Sequence, residues 1–141
     1  MITGVTIDGI DTLTRWGLIL LADLVVGAPP VREVLIEIPG RSGTINASYA
    51  ISDGEPVYGN RPITFTLFKS VPDAELNQIR SELMALFHGR EKKLQLPTDT
   101  GHYFKGIVHI GDISGYNSGK IPVSVTAEPY RYDNTTDEPS L

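Results

Sequence analysis

The chain has 141 residues, of which 40% are hydrophobic and 21% are charged, a composition typical of one folded domain with a substantial core. It has 14 glycines, 10 prolines and no cysteine, which indicates a turn-rich protein and excludes a disulfide scaffold, a zinc ribbon and a cysteine nucleophile. Seventeen acidic and twelve basic residues give a net charge of −5, which argues against a nucleic-acid-binding surface. We expect no signal peptide and no membrane span, because the apolar segment Trp16–Val26 is short and contains Asp23.

The first predicted elements are short strands. Val5–Ile10 alternates between apolar and polar residues and ends in the turn-prone pair Asp8-Gly9. Trp16–Ala22 is apolar without alternation, which predicts a strand covered on both faces. We expect one face of this strand to be covered by the helix described below or by an opposing sheet. The other face is covered either by a folded-over loop or by a neighbouring subunit. Gly27–Pro30 ends this part of the chain.

The next segment combines one clear strand with a long irregular stretch. Glu33–Ile38 alternates, and Pro39-Gly40 closes it. The following twenty or so residues are rich in glycine and polar residues, and such a long stretch in a compact domain is commonly functional. We expect a short strand near Thr44–Ser48 and an exposed excursion around Ser52–Asn60.

The only clear helical period lies in Ser70–Gly89, directly after the strongly alternating strand Pro62–Lys69. Ser70 and Asp73 resemble a capping box, and Gly89 stands where helices often end in a left-handed residue. The helix is expected to pack on the sheet. The expected core consists of its apolar face and alternating strand residues: Leu76, Ile79, Leu83, Leu86, Phe87, Phe65, Val108, Val123 and Val125.

The last third predicts antiparallel strands. Lys92–Leu96 is a short strand, and Tyr103–Ile113 and Lys120–Glu128 alternate on either side of a loop at Asp112–Gly119. Residues 133–141 are polar and are expected to be a disordered tail. The whole pattern predicts a mainly β, α+β fold: an antiparallel β-sandwich or barrel with one packed α-helix.

The sequence offers little for catalysis or metal binding. The histidines His88, His102 and His109 lack the spacing of a metal motif. Ser42 lacks the surroundings of a nucleophile elbow or of a phosphate loop. We therefore expect no catalytic residue, cofactor or metal, and a protein that is not an enzyme. One alternative from another class is a small ligand-binding or enzymatic β-domain with His102, His109 and Tyr103 at its mouth.

Several short motifs occur in an order that resembles one family. The chain resembles the N-terminal domain of distal tail proteins from long-tailed, siphovirus-type bacteriophages, and the resemblance covers nearly its whole length, Ile2 to Tyr132. The motifs are Trp16-Gly17, Ile38-Pro39-Gly40-Arg41-Ser42-Gly43-Thr44, Tyr58-Gly59-Asn60-Arg61, Phe87-His88-Gly89, Tyr103-Phe104-Lys105-Gly106 and Glu128-Pro129-Tyr130.

This resemblance implies a β-sandwich with a helix and a projecting β-hairpin, related to tail-tube proteins. It implies a hexameric ring at the distal end of the tail tube, a hub that contacts tail-tube and tail-tip or baseplate proteins in the virion tail. DNA passes through such a ring without stable binding. Residues 1–132 are the expected ring-forming domain, without the C-terminal carbohydrate-binding domain of many relatives. A tail-tube subunit or a type VI secretion-like tube subunit is the nearest alternative.

The expected oligomer interface combines the apolar run with the motif residues. It consists of Trp16, Leu18, Leu20, Leu24, Val26, Arg41, Tyr58 and Arg61.

Overall fold

The structure, a computed structural model, describes residues 3–47, 55–113 and 119–141. The elements that these residues form are, in chain order, β1 (Thr6–Ile7), β2 (Ile10–Asp11), α1 (Thr12–Trp16), β3 (Ile19–Leu20), β4 (Val25–Val26), β5 (Leu35–Glu37), β6 (Thr44–Asn46), β7 (Arg61–Phe68), α2 (Asp73–Phe87), β8 (Glu91–Gln95), β9 (His102–Ile110), β10 (Lys120–Asp133) and β11 (Pro139–Ser140). Ser48, residues 52–54 of the predicted excursion and residues 114–118 of the predicted loop lie outside the described residues.

Nine of these strands form one antiparallel sheet. Its order is β2-β1-β8-β9-β10-β7-β3, with β4 also on β7 and β11 also on β10. The sheet is curled, and its two ends approach each other. The Leu20 N–H in β3 donates to the carbonyl of Thr3, just before β1, at 2.7 Å. The mainly β, antiparallel α+β class is confirmed. Of the predicted alternatives, sandwich or barrel, the described residues resemble the barrel: they form one curled sheet and a separate two-stranded hairpin, β5 with β6.

The long strand β10 forms the middle of the sheet. It pairs with β7 and β9 at once, so that Val125 lies opposite both Ile63 and Val108. Strict alternation along β10 turns every second side chain inward. The predicted core residues Phe65, Val108, Val123 and Val125 are at most 2% exposed. A register shift between Ala127 and Arg131 then bends the strand.

Helix α2 packs against this sheet and contacts β9. Leu76, Ile79, Leu83 and Phe87 are buried in the core. Leu86 is 36% exposed, so its assignment to the core is wrong. A helix turns by about 100° per residue, so Leu86 lies well away from the adjacent Phe87 and off the buried face.

The ends of α2 differ in how well the sequence marks them. The N-cap is Pro72 and no side chain caps the helix, so the predicted capping box at Ser70 does not form. At the other end Gly89 has φ +74°, in the left-handed region that the sequence predicts for it.

Helix α1 was not predicted, since five residues are too few for a helical period. Its ends are nevertheless marked. The Asp11 carboxylate accepts from the Leu13 N–H at 2.9 Å, and Gly17 at φ +73° ends the helix. The helix turns Trp16 inward, where its indole N–H donates to Glu82 Oε2 at 2.7 Å and its ring meets Phe87 edge-on.

The polar C-terminal residues are ordered by the sheet. β11 pairs with β10, with Pro139 opposite Tyr132 and Ser140 opposite Arg131. The Asp133 carboxylate accepts from the N–H groups of Thr135 and Thr136, which builds the turn between the two strands. The expectation of a disordered tail is therefore not met, because a turn and a short strand satisfy its backbone groups.

Candidate assembly surface

The hairpin of β5 and β6 stands apart from the main sheet, and we call residues 34–47 the arm. Ile36 lies opposite Ile45 in its ladder. The base is closed by the Ala47 N–H, which donates to the Val34 carbonyl at 2.7 Å. Residues 31–46 are all exposed. The arm is therefore a two-stranded element that no described part of the protomer covers.

The arm has one apolar face and a second face on which Leu35 lies beside polar residues, since Ile36 pairs with Ile45 but Leu35 pairs with Asn46. Leu35 and Ile36 are consecutive in β5 and so point to opposite faces, and they are 54% and 48% exposed. The other large apolar side chains on the arm are also exposed: Val34, Ile38 and Ile45. An isolated hairpin is marginally stable in water, and a contiguous exposed apolar surface usually marks a site of protein contact. The arm is thus the strongest candidate contact element among the described residues.

Two glycines shape the tip of the arm. Gly40 and Gly43 have φ of +80° and +77°, a conformation that residues with a Cβ rarely adopt. The Arg41 N–H donates to the Ile38 carbonyl at 3.2 Å. The predicted interface residue Arg41 is therefore exposed at this tip.

The root of the arm is held to the sheet through backbone hydrogen bonds. The Arg32 N–H donates to the Val57 carbonyl and the Gly59 N–H to the Pro30 carbonyl, each at 2.7 Å. Tyr58, another predicted interface residue, is half-buried at this root, with its ring edge-on to Tyr130. These contacts fix where the arm leaves the domain.

An exposed apolar edge adjoins the root. Val25 and Val26 in β4 are 57% and 40% exposed, and Val31 is 48% exposed. β4 pairs with β7 on one side only within the described sheet. The predicted interface residue Val26 is thus available for contact, and the apolar surface extends from the arm to the sheet edge.

Other predicted interface residues lie inside the protomer. Trp16 is 6% exposed, Leu18 is fully buried, and Arg61 is 7% exposed. Leu20 and Leu24 are half-buried against the core. The prediction of Trp16 and Leu18 as oligomer-interface residues is wrong, because this part of the apolar run is folded into the core of the protomer. The described chain itself covers the first part of the run at Trp16 and Leu18, whereas Val25 and Val26 at its end stay exposed.

The sequence interpretation missed the apolar residues of the arm as contact residues. A usable signal was present: Leu35 and Ile36 are adjacent in a predicted strand, so both faces of that strand carry an apolar side chain. In addition, the glycine-rich sequence that follows this strand contains no strongly apolar segment that was predicted to cover either face.

The three histidines do not converge on one site. His88 Nδ1 accepts from the Ile110 N–H at 3.0 Å, and His109 is exposed with its ring edge-on to that of His88. His102 instead hydrogen-bonds Asp99 at 2.9 Å. Within the described ranges no group of three or more histidine and acidic side chains is arranged to hold a metal ion.

Tyr103 is also separated from the histidines. It lines a cavity of about 330 Å³ together with polar side chains, among them Lys93, Gln95 and Asn134, and neither His102 nor His109 lines it. Its ring is stacked on Tyr132, with Lys93 Nζ 5.0 Å from the ring centroid. The three residues that the ligand-binding alternative requires at one mouth are thus not gathered there.

A polar cluster lies at the end of β9 and β10. Asp99 accepts from His102 and from Arg131, whose Nη1 lies 2.5 Å from Asp99 Oδ2. Burial acts to raise the pKa of Asp99, but the hydrogen bonds from His102 and Arg131 outweigh it and hold that pKa below its usual range. Nearby, Tyr132 donates to Glu128 Oε2, which together with burial raises the pKa of Tyr132 to about 12.

The fold has a counterpart among solved structures. No family model matches the chain, and no curated protein sequence matches it. The crystal structure of the Dit protein of phage SPP1 matches with a TM-score of 0.65 and 15% sequence identity. The match covers 94% of this chain and 52% of that protein, so the chain spans about half the length of its structural neighbour.

That neighbour is described as a paradigm of the hub adsorption apparatus in phages that infect Gram-positive hosts. At 15% identity the likeness shows a shared fold. This structural likeness agrees with the resemblance of the sequence motifs to phage tail proteins. Neither helix in the described part of this chain is long and apolar enough to cross a lipid bilayer.

Proposed function

We propose that this chain is a structural subunit of a phage tail hub, which forms a homo-oligomeric ring at the distal end of the tail tube. Two observations support the proposal: the fold that the chain shares with a phage hub protein, and the exposed apolar arm. The arm is the main reason to expect self-assembly, because burying its apolar side chains against another surface lowers the free energy of the system.

The geometry of the arm favours a ring. An arm that docks on a different surface of the next subunit makes a head-to-tail contact, and head-to-tail contacts close into rings when the rotation between subunits permits. A stable contact buries on the order of 800 Å² per partner. The arm together with Val25, Val26 and Val31 offers apolar side chains of the kind found at the centre of such contacts.

The proposed ring is hexameric, after the family that the sequence resembles. In the virion tail it joins the tail-tube protein on one side to tail-tip or baseplate proteins on the other. Its role is to hold these parts together and to let DNA pass, without catalysis and without stable DNA binding. The net charge of −5 favours a lumen that does not retain a polyanion.

The arm can be tested without disturbing the protomer. Leu35→Asp combined with Ile36→Asp places two charges on exposed positions, so the free energy of unfolding of the protomer should change little. Sedimentation velocity should show that the wild-type chain assembles and that the double variant stays monomeric. Ile107→Asp is the control, since Ile107 is an apolar residue of similar exposure, 42%, that belongs to β9 and not to the arm.

Assembly of the double variant to the same extent as the wild type contradicts the role of the arm. Electron micrographs of the wild-type assembly distinguish a hub from a tail-tube or type VI secretion-like tube subunit. A tube subunit stacks rings on both faces and produces filaments. Single closed rings support a hub.

A further inference from the structure

Arg61 is a buried cation that lacks an anionic partner among the described residues. It begins β7 and is 7% exposed, and its guanidinium carbon lies 5.6 Å from the ring centroid of Phe104. Its Nε is buried without a hydrogen-bond partner, and its guanidinium forms no ion pair with any described residue. Arginine stays charged in proteins, and a buried charge is costly unless it is paired.

A second arginine lies close by and adds to the positive charge. Arg131 pairs with Phe104 in the register of β9 and β10, and its one ion pair in the described part of the chain is with Asp99. Its Nε is also buried without a partner. Burial first, and then repulsion from Arg131, lower the pKa of Arg61. Asp99 therefore pairs with Arg131, and the positive charge of Arg61 is left without a carboxylate among the described residues.

We propose that Arg61, assisted by Arg131, is the receptor for a carboxylate side chain that a second copy of this chain supplies. The inference deepens the proposed assembly and rests on it. A planar guanidinium has paired N–H donors whose spacing matches the two oxygens of a carboxylate. One carboxylate would balance the cluster, with two acids against two guanidinium groups.

Charge and accessibility favour a protein acid over nucleic acid. A duplex is held by an extended set of basic residues, whereas this chain is acidic overall and Arg61 is nearly buried. The chain itself carries five more acids than bases, so further copies can supply a carboxylate that has no cation of its own.

The site also adjoins the candidate assembly surface. Tyr58, at the root of the arm, lies three residues before Arg61, and its backbone forms a bridge with exposed Val31. On the arm, Glu37 is exposed and makes no ion pair with a described residue. The carboxylate of Glu37 from a second copy is therefore the first donor to test.

Arg61→Met is the informative variant. Methionine keeps apolar contact with Phe104 and removes an unpaired buried charge. In the monomeric Leu35→Asp/Ile36→Asp background, the Arg61→Met protomer should therefore unfold at the same denaturant concentration as its parent or at a higher one. Self-association, measured by sedimentation velocity, should weaken about tenfold or more, as expected when a buried charged contact is lost. Arg90→Met makes the same charge change at an exposed position after α2 and should leave self-association unchanged.

Glu37→Gln should weaken self-association as Arg61→Met does, and the double variant should be no weaker than either single one. Unchanged self-association of Arg61→Met overturns the proposal. A large drop in the denaturation midpoint when Arg61→Met is added to the monomeric Leu35→Asp/Ile36→Asp chain also overturns it, because that result assigns Arg61 a role inside the protomer.

A titration with free anions separates this proposal from the assembly on which it rests. The Arg61 Nε–H resonance of the monomeric Leu35→Asp/Ile36→Asp chain is followed in ¹⁵N spectra as acetate or inorganic phosphate is added. A saturable shift with acetate supports a carboxylate receptor, even if the wild-type chain stays monomeric and the ring proposal fails. No shift with acetate, or a tighter response to phosphate, overturns the carboxylate assignment even if rings form.

Discussion

The packing of α2 on the sheet gives a sharp test, because two leucines one turn apart have opposite environments. Leu83 is fully buried in the core, whereas Leu86 is 36% exposed. Leu83→Ala removes three carbon atoms from a closed environment and should lower the free energy of unfolding by about 2–5 kcal/mol. Leu86→Ala makes the same chemical change at a partly solvated site and should cost less than about 1 kcal/mol, since alanine also has the higher helix propensity.

Both values are measured by urea denaturation of protomers that carry the Leu35→Asp/Ile36→Asp substitutions, so that assembly does not contribute to stability. The comparison controls for helix propensity and side-chain size. Equal losses at the two positions would contradict the described orientation of α2. A larger loss at Leu86 than at Leu83 would indicate that the helix is rotated so that Leu86, and not Leu83, faces the sheet.

Three further predictions concern the sheet, the polar cluster and the lumen. Gly106→Ala should be strongly destabilising in thermal denaturation, because its Cβ would lie 2.5 Å from the Thr126 carbonyl oxygen, whereas Gly101→Ala has open space and should change the melting temperature little. Tyr132→Phe should lower the free energy of unfolding by about 1 kcal/mol at neutral pH, through loss of the hydrogen bond to Glu128. Because the folded-state pKa of Tyr132 is raised to about 12, this difference from the wild type should persist below pH ~10 and disappear as the pH rises to about 12; a difference that grows over that range contradicts the assignment. Fluorescence anisotropy at low salt should detect no duplex DNA binding by the wild-type chain, and micromolar binding that falls steeply with salt would reveal a basic surface.

Local sequence patterns predicted the central fold well, because the relevant signals are repeated along the chain. β7, β9 and β10 alternate over eight or more residues, and α2 repeats its apolar period over four turns. Each of these elements is long enough for its period to outweigh a single unusual residue. The sequence also marked the turn at Asp8-Gly9, where both residues have positive φ.

The parts that the sequence did not predict depend on tertiary contacts. α1 is five residues long, and only the finished core explains why Trp16 turns inward to Phe87 and Glu82. The alternation of Val34, Ile36 and Ile38 is typical of a strand with a buried face, yet in the protomer all three are exposed. A period indicates which side chains share a face, but it does not indicate whether the cover comes from the same chain or from another one.

The charged contacts were the least predictable feature of the candidate site. Arg61 stands in a motif that the sequence analysis placed at an oligomer interface, but nothing in the local pattern indicates that it is buried over Phe104. That contact arises because the shift in register of β10 brings Arg131 opposite Phe104 while Ala127 lies opposite Arg61.

The central claim is that this chain assembles into a closed ring through its apolar arm. Native mass spectrometry of the purified wild-type chain, with the Leu35→Asp/Ile36→Asp variant beside it, tests that claim most directly. The account predicts one dominant species with the mass of a hexamer of the 15.4 kDa chain for the wild type, and monomer for the variant. A wild-type chain that remains monomeric at concentrations of tens of micromolar, where contacts of ordinary size associate, would contradict it.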